Sequence, residues 1–259
     1  MREITLWNHT IPYDTPSFDT PNRMTFYPVT TWHPLPAVII FPGGGYSNRV
    51  EHEGANIAQY YNSRGFHAFV VDYRTLPHQY PCALIDAQRA VKLVRAHAEQ
   101  YRVNPDMLFT IGFSAGGHLS GCLAVFDDIC KVGDEYDDIS PRPTGVMMGY
   151  PVVSTEQCDD SNAHTCVLNI LKNAPAETLS LEKHVTPDTV PCFLWHTSED
   201  EIVSVTHSLK FCEALRAQHV PFELHVYPHG RHGLALALNY YAAEEWPENS
   251  VRWMRGFRK

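Results

Sequence analysis

The sequence predicts an α/β fold in which a mostly parallel β-sheet is covered by helices on both faces. Three observations support this class. Short apolar runs alternate with helix-length segments, several of these runs are apolar at every position, and the helical segments carry apolar residues at steps of three and four. Continuously apolar strands are typical of a parallel sheet enclosed between two helical layers. We therefore expect a single three-layer α/β domain over residues 1–259.

Each element follows from its own pattern. The clearest strand is a continuous apolar run that ends in a glycine-rich loop, and the clearest helix begins near Pro81 and carries one apolar stripe. The predicted strands are Glu3–Trp7, Met24–Pro28, Ala37–Phe41, His67–Tyr73, Met107–Phe113, Gly145–Tyr150, Pro191–His196 and Phe222–Tyr227. The predicted helices are Glu53–Arg64, the stripe helix with Leu84, Ala87, Val91, Val94 and Ala98, then Ala115–Val125, Val205–Leu215 and Glu244–Met254.

Residues 151–190 separate two predicted strands and are too many for a structureless loop. We expect short helices there at Thr165–Leu171 and Ser180–Val185. This stretch is a candidate for a small cap-like insertion that lies over the functional site.

Charge and hydropathy argue against several partners. The chain has 20 Lys and Arg against 29 Asp and Glu, a formal net charge of −9, and no run of basic residues. These features argue against binding to nucleic acid or to an anionic membrane. No stretch approaches the roughly 20 apolar residues that cross a bilayer. Because Met1–Thr5 is not followed by an apolar run, we expect no secretory signal and a cytoplasmic protein.

The cysteines predict no special chemistry. There are seven of them, no Cys-x-x-Cys pair occurs, and several lie within apolar runs. Buried, reduced thiols are therefore expected. A metal cluster of Cys158, His164 and Cys166 is the alternative, but this spacing fits no common zinc pattern.

The strongest functional signal is Gly112-Phe113-Ser114-Ala115-Gly116-Gly117, between a predicted buried strand and a helix. A serine hydroxyl is a useful nucleophile only when it is exposed, near a base and near donors for an oxyanion. A sharp strand-to-helix turn exposes it, and such a turn needs small residues two positions before and after the serine. Gly112 and Gly116 meet that need, whereas a glycine-rich turn without chemistry is the alternative.

A second loop, Pro42-Gly43-Gly44-Gly45-Tyr46, follows the first buried strand. Consecutive glycines let the backbone turn its N–H groups into a cavity. A phosphate-binding loop is a rival interpretation, but the Lys-Ser/Thr that should follow such glycines is missing. A plain turn is the simplest alternative. Tyr46 is expected to line the pocket or pack under the loop.

Candidate acids and bases follow two later strands. The loop 197–203 offers Glu199, Asp200 and Glu201, of which Asp200 could also serve only as a helix cap. The loop after the last strand offers His229 and His232, which a metal site would use as a His-x-x-His pair. The remaining strand histidines, His196 and His225, are expected to be hydrogen-bonded residues of the core.

The order serine, aspartate, histidine resembles that of the α/β-hydrolase superfamily. Within it, the chain is similar to small bacterial esterases related to acetyl xylan esterases and to the hormone-sensitive-lipase branch, from Ala37 to the end. The motifs that carry the resemblance are Phe41-Pro42-Gly43-Gly44-Gly45-Tyr46, Val71-Asp72-Tyr73-Arg74, Gly112-Phe113-Ser114-Ala115-Gly116-Gly117-His118-Leu119, Trp195-His196-Thr197-Ser198-Glu199-Asp200 and Pro228-His229-Gly230-Arg231-His232-Gly233. Two positions depart from the family pattern, Pro42 where His is frequent and Ser204 where Pro is usual.

The resemblance implies a catalytic triad and an oxyanion hole. Asp-x-x-Val selects Asp200 as the acid and His-Gly-Leu selects His232 as the base, with Ser114 as the nucleophile. The amides of Gly44, Gly45 and Ala115 would hold the oxyanion. The implied fold is the α/β-hydrolase sandwich, and neither a metal nor an organic cofactor is required.

The implied function is hydrolysis of short-chain, first of all acetyl, esters of sugars or xylo-oligosaccharides. The expected partner is thus a small-molecule ester, and homo-oligomer formation is left open. Two alternatives remain. One is an amide hydrolase with the same triad, either an arylformamidase or a peptidase whose usual propeller domain has no space in 259 residues. The other is a non-catalytic binding protein on a hydrolase scaffold.

Overall fold

A computed structural model describes residues 1–14, 21–155 and 176–257 of the chain. Within these ranges, eight strands form one sheet, and all eight predicted strand segments are confirmed. The strands are β1 (Arg2–Thr5), β2 (Arg23–Tyr27), β3 (Leu35–Phe41), β4 (His67–Asp72), β5 (Val103–Phe113), β6 (Gly145–Gly149), β7 (Cys192–Thr197) and β8 (Phe222–Tyr227). Their spatial order in the sheet is β1-β2-β4-β3-β5-β6-β7-β8.

Strand direction determines where the loops meet. The six strands from β3 to β8 run parallel, whereas β1 and β2 add antiparallel at one edge. Because parallel strands share a direction, β5, β7 and β8 all end at the same edge of the sheet. The loops that carry the serine, acid and base candidates therefore lie side by side.

Helices cover both faces of the sheet, as predicted. On one face α2, α4 and α5 pack into a buried apolar cluster, and α1 and α6 pack into a second cluster on the other face. Side chains of β3 alternate between them, so that Ile39 belongs to the first cluster and Ile40 to the second. The helices are α1 (Ala55–Ser63), α2 (Cys82–Ala96), α3 (Ala98–Tyr101), α4 (Ala115–Val125), α5 (Thr206–Ala217) and α6 (Trp246–Arg255).

Helix α2 is buried on its polar side as well as along its apolar stripe. Asp86 pairs with Arg74 at 2.8 Å in a fully buried contact, and the indole Nε1 of Trp7 donates to the same carboxylate at 2.9 Å. Lys92, equally buried, pairs with Asp128 at 2.7 Å. Buried charges need such partners. The apolar stripe predicted the buried apolar face of α2, but it did not predict that other segments of the chain enclose the opposite face.

Three details differ from the sequence prediction. The predicted stripe helix extends to Ala98, whereas α2 ends at Ala96 and Ala98 begins the separate α3. Strand β5 begins at Val103 rather than at Met107, and a register shift against β3 accommodates the exposed Pro105 that the sequence placed before the strand. In the stretch 151–190, Ser180–Val185 contains only a single helical turn, at Leu181–Lys183. The other predicted helix, 165–171, lies outside the described residues, so the cap-like insertion stays a prediction.

Candidate active site

Ser114 occupies the sharp turn between β5 and α4. Its backbone has φ 53° and ψ −118°, a conformation that L-residues seldom adopt. The turn leaves no room for larger neighbours, because a Cβ on Gly112 would come within 1.8 Å of the Gly116 carbonyl oxygen. A Cβ on Gly116 would come within 2.0 Å of the Phe41 carbonyl oxygen. The two predicted small positions are therefore sterically required, and the turn presents the serine hydroxyl at the sheet edge.

His232 lies in the loop after β8 and contacts both of the other candidates. Its Nε2 is 2.9 Å from the Oγ of Ser114, and its Nδ1 is 2.6 Å from the Oδ2 of Asp200. Because a carboxylate only accepts, Nδ1 carries the proton and Nε2 is left to accept from the serine. The structure thus brings Ser114, His232 and Asp200 into one hydrogen-bonded chain.

Asp200 uses its two oxygens for different purposes. Oδ1 accepts the backbone N–H groups of Ile202 at 3.0 Å and Val203 at 2.9 Å, while Oδ2 faces His232. Burial alone would raise the pKa of this carboxyl, but hydrogen bonds from His196 and His232 outweigh burial and hold the pKa far below its ordinary value. Helix α5 begins only at Thr206, so Asp200 is not the cap of that helix.

His196 lies beside this carboxylate, fully buried at the end of β7. Its Nε2 is 2.8 Å from the Val203 carbonyl oxygen and 3.3 Å from Asp200 Oδ2. A carbonyl only accepts, so Nε2 carries the proton, and Nδ1 accepts from Ser208 at 2.8 Å. The prediction of a hydrogen-bonded core histidine is confirmed, but its contact with Asp200 was missed because a strand pattern does not show it.

The competing candidates lie elsewhere. Glu199 accepts from Nδ1 of His229 at 2.8 Å, and both side chains are exposed on the surface. His229 therefore pairs with Glu199 at the surface, whereas His232 contacts Ser114 and Asp200. His225, expected in the core, is only partly buried on the edge strand, where it pairs with Glu223 at 2.6 Å.

The glycine loop borders the same cavity as the serine. Gly44 and Gly45 have φ of 127° and 62°, and together with Ser114 and His232 they line a cavity of about 270 Å³. Ala115 is the first residue of α4, so its N–H has no acceptor within the helix. The three residues predicted to supply oxyanion donors, Gly44, Gly45 and Ala115, thus lie in the loop that lines this cavity and at the start of the helix after Ser114.

Tyr46 packs beneath this loop, as one of its two predicted alternatives required. It is 1% exposed, and its hydroxyl donates to Nδ1 of His118 at 2.7 Å. Nε2 of His118 in turn donates to the carbonyl of Leu179 at 2.8 Å. Burial lowers the pKa of His118 to about 4, so the ring is neutral near pH 7.

Two further side chains at the site, Glu53 and Tyr150, were not identified from the sequence. Glu53 begins a predicted helix, and no motif marks it. Tyr150 follows β6, and the rule that function collects at carboxyl ends of parallel strands could have found it. Both are buried, and Tyr150 packs against the His232 ring with centroids 4.9 Å apart.

The residues that the structure describes contain neither a candidate metal site nor a candidate membrane-spanning helix. Within residues 1–14, 21–155 and 176–257, no group of three His, Cys, Asp or Glu side chains has an arrangement suited to a metal ion. The Cys158, His164 and Cys166 cluster lies outside these ranges. In the same part of the chain, no helix combines the length and apolar character needed to cross a membrane. Five cysteines fall in it, all buried and free.

Comparison with known proteins shows that this chain is similar to proteins named as esterases and as a xylanase. The BD-FAE family model matches residues 25–215. A Butyrivibrio fibrisolvens protein named endo-1,4-beta-xylanase B is 41% identical over 210 residues, 77% of this chain and 32% of that protein. An acetylxylan esterase of Xylanibacter ruminicola is 26% identical over 85% of this chain and 45% of its own length. The chain thus spans less than half the length of either relative.

Solved structures of full-length similarity exist. The acetyl ester-xyloside bifunctional hydrolase of Caldicellulosiruptor lactoaceticus has a TM-score of 0.93 at 37% identity, covering 100% of this chain and 97% of that one. The carboxylesterase Cest-2923 of Lactobacillus plantarum has a TM-score of 0.77 at 26% identity, covering 92% and 94%. The fold is that of the α/β hydrolases.

Proposed function

This chain belongs to the BD-FAE family, and from that premise we propose that it is a serine carboxylesterase that removes short acyl groups, acetyl first. The observation that carries the proposal is the hydrogen-bonded chain from Ser114 Oγ through the His232 ring to Asp200. That arrangement supplies a nucleophile, a base and a group that fixes the tautomer of the base.

The proposed reaction is acyl transfer through an acyl-enzyme. Ser114 Oγ attacks the ester carbonyl carbon while its proton passes to Nε2 of His232, and the carbonyl oxygen becomes an oxyanion. The backbone N–H groups of Gly44, Gly45 and Ala115 are its donors. Collapse breaks the bond to the alcohol, which leaves with the proton from His232. Water, deprotonated by the same imidazole, then attacks the acyl-enzyme and releases the acid and free Ser114.

The cavity supports a small acyl group. Its volume of about 270 Å³ is at the lower end for ligand pockets, and apolar side chains of Val50, Val152, Ile202 and Val203 contribute to its wall. A methyl group packs against such a wall at no polar cost.

A carbohydrate alcohol is supported by a second cavity and by the relatives. A cavity of about 320 Å³ adjoins the first and shares His52, Arg231 and Gly233 with it. It combines polar groups, among them Asn56, with the apolar surface of Tyr240, a mixture suited to a sugar ring. Two similar proteins carry names that refer to acetylxylan or to an acetyl ester-xyloside.

The test uses an ester series and one substitution. We expect rapid hydrolysis of p-nitrophenyl acetate, a rate that falls as the acyl chain lengthens to octanoate, and release of acetate from acetylated xylo-oligosaccharides. Ser114→Ala should remove this activity together with labelling by a fluorophosphonate probe. Retention of esterase activity in Ser114→Ala would refute the proposal. An intact wild type that neither turns over esters nor accepts the probe would instead indicate a binding protein.

A further inference from the structure

A buried carboxyl group outside the triad lies next to the glycine loop. Glu53, 2% exposed, follows that loop in a short helical turn at Glu51–Glu53. Its Oε2 accepts the N–H of Gly43 at 2.7 Å, and its Oε1 accepts the hydroxyl of Tyr150 at 2.6 Å. Burial raises the pKa of this carboxyl, although the two hydrogen bonds act in the opposite direction. Both oxygens are used for protein contacts, so Glu53 is not a group that waits for substrate.

Tyr150 connects this carboxyl to the loop that carries the base. Its hydroxyl oxygen accepts the N–H of Ala235 at 2.9 Å, three residues after His232, and its ring contacts the His232 ring edge to face. The backbone of Tyr150 has φ 35°, which is costly for a residue with a large side chain. The surrounding structure therefore holds this ring against a backbone preference.

The same carboxyl determines which amides of the glycine loop stay available. Gly43 gives its N–H to Glu53, and a Cβ at this position would lie 2.7 Å from Glu53 Oε2. With Gly43 anchored in this way, the next two glycines turn toward the cavity that contains Ser114. A single chain of hydrogen bonds thus runs from the glycine loop through Glu53 and Tyr150 to the histidine loop.

We infer that Glu53 and Tyr150 are positioning residues that lock the oxyanion-binding loop to the loop of His232, an inference that rests on the proposed esterase function. Tyr150 packs against the His232 ring, and neither residue gives or takes a proton in the proposed reaction. Their effect on turnover comes from holding two amides and one imidazole in fixed relation while charge develops on the substrate oxygen. Loss of the connection lets both loops relax away from that geometry, which lowers kcat more than it alters KM.

The main test replaces the two groups without changing their size. Tyr150→Phe removes the hydroxyl and keeps the ring on His232. Glu53→Gln keeps the shape of the side chain, but its amide NH₂ then faces either the Gly43 N–H or the Tyr150 hydroxyl, and both of these groups donate to Glu53 in the wild type. We expect each to lower kcat for p-nitrophenyl acetate roughly 10- to 100-fold with KM changed less than 3-fold, in line with the about 10²-fold cost of a misplacement near 1 Å. Fluorophosphonate labelling should slow in parallel. The double variant should be no worse than the worse single variant, since both break one connection.

Tyr61→Phe is the matched control. Tyr61 is also fully buried, its hydroxyl lies 2.9 Å from Ser250 Oγ, and among the described residues it is not part of the lining of the cavity that contains Ser114. It should lose thermal stability comparably to Tyr150→Phe while keeping wild-type kcat. If both Tyr150→Phe and Glu53→Gln, measured at temperatures where they are folded, keep kcat within the range of Tyr61→Phe, the inference is wrong. If Ser114→Ala is inactive in the same assays, that result contradicts the positioning role alone and the esterase proposal is kept. If Ser114→Ala is active, both the esterase proposal and the positioning role are wrong.

Discussion

Asp200 shows how much one carboxylate determines at the site. One oxygen fixes the loop after β7 through two backbone N–H groups, and the other faces Nδ1 of His232. The neighbouring carboxylate of Glu199 instead accepts from Nδ1 of His229 and from the N–H of Gly230 on the surface. Adjacent residues of the same charge therefore have separate structural roles, which makes them a natural pair for substitution.

Asp200→Asn should lower kcat by about 10⁴ with little change in folding. An asparagine amide that faces His232 donates to Nδ1 and moves the ring proton to Nε2, which can then no longer accept from Ser114. Steady-state kinetics with p-nitrophenyl acetate measure the loss. Glu199→Gln, the same change one residue earlier, should stay within 3-fold of wild type. Equal losses in both variants would show that the carboxylate beside the ring has no special part.

The Gly-x-Ser-x-Gly turn predicted Ser114, and the family resemblance selected Asp200 and His232 from the neighbouring candidates. The structure places the three side chains in one hydrogen-bonded chain. Sequence reasoning did not find Glu53 and Tyr150, because their contacts join elements distant along the chain. Glu53 and Tyr150 are 97 residues apart, and no periodicity links them. The candidate catalytic residues follow local turn chemistry, whereas the proposed positioning residues follow tertiary packing.

At the scale of single elements, the turn from β5 into α4 is tightly constrained by neighbouring backbone. The first residues of α4 lie close to the end of β3. A Cβ on Gly116 would come within 2.0 Å of the backbone oxygen of Phe41 and 2.6 Å of that of Pro42. Farther along the same helix, a Cβ on Gly121 would meet only side-chain ends, Leu181 Cδ1 at 2.5 Å and Met148 Cε at 2.7 Å. The side-chain ends near Gly121 can move aside, but the backbone oxygens near Gly116 are held by the fold and cannot.

Gly116→Ala should therefore destabilise the protein by about 1–3 kcal/mol, as overpacking against rigid groups does. It should also reduce activity, since the displaced backbone includes the start of the glycine loop. Gly121→Ala should destabilise the protein clearly less than Gly116→Ala. Both substitutions gain about 1 kcal/mol in helix propensity, but only the Cβ at position 121 meets side-chain atoms that can move. Urea unfolding of the two variants compares them directly. A larger loss in Gly121→Ala would contradict this account of the turn.

The sequence predicted which segments are helices and strands, but it did not predict which other segments pack around each of them. Continuous apolar runs predicted the buried strands, and the stripe of α2 predicted its inner face. The pairing of Asp86 with Arg74 and Trp7, by contrast, requires three segments that the pattern cannot bring together. The predicted start of β5 at Met107 is likewise too late, because an irregular register against β3 keeps Pro105 within the strand.

For the whole molecule, buried histidines couple stability to pH. Burial lowers the pKa of His118 from an ordinary 6.5 to about 4 in the folded protein. The unfolded chain therefore takes up a proton between these values that the folded protein does not. Stability from this group is complete above pH 6.5 and is lost as the pH falls toward 4. Burial also lowers the pKa of His67 and of His78, which act in the same direction.

We expect the free energy of unfolding to fall between pH 7 and pH 4.5, with His118 contributing at most about 3 kcal/mol. In His118→Gln the amide can still accept from Tyr46 and donate to Leu179, but it does not titrate. Denaturant unfolding at several pH values should show a shallower decline in this variant than in wild type. Parallel declines in the two proteins would mean that His118 is not the titrating group.

The position of β8 at the sheet edge has a consequence for how the protein acquires its reactivity. Within the described residues, His232 lies in the loop after β8, which is the edge strand and pairs with β7, whereas Ser114 and Asp200 follow strands inside the sheet. During refolding from denaturant, a chain with every inner strand in place would still lack the His232 side chain beside Ser114 until β8 docks. Under the proposed function, the onset of fluorophosphonate labelling during refolding therefore reports the addition of β8.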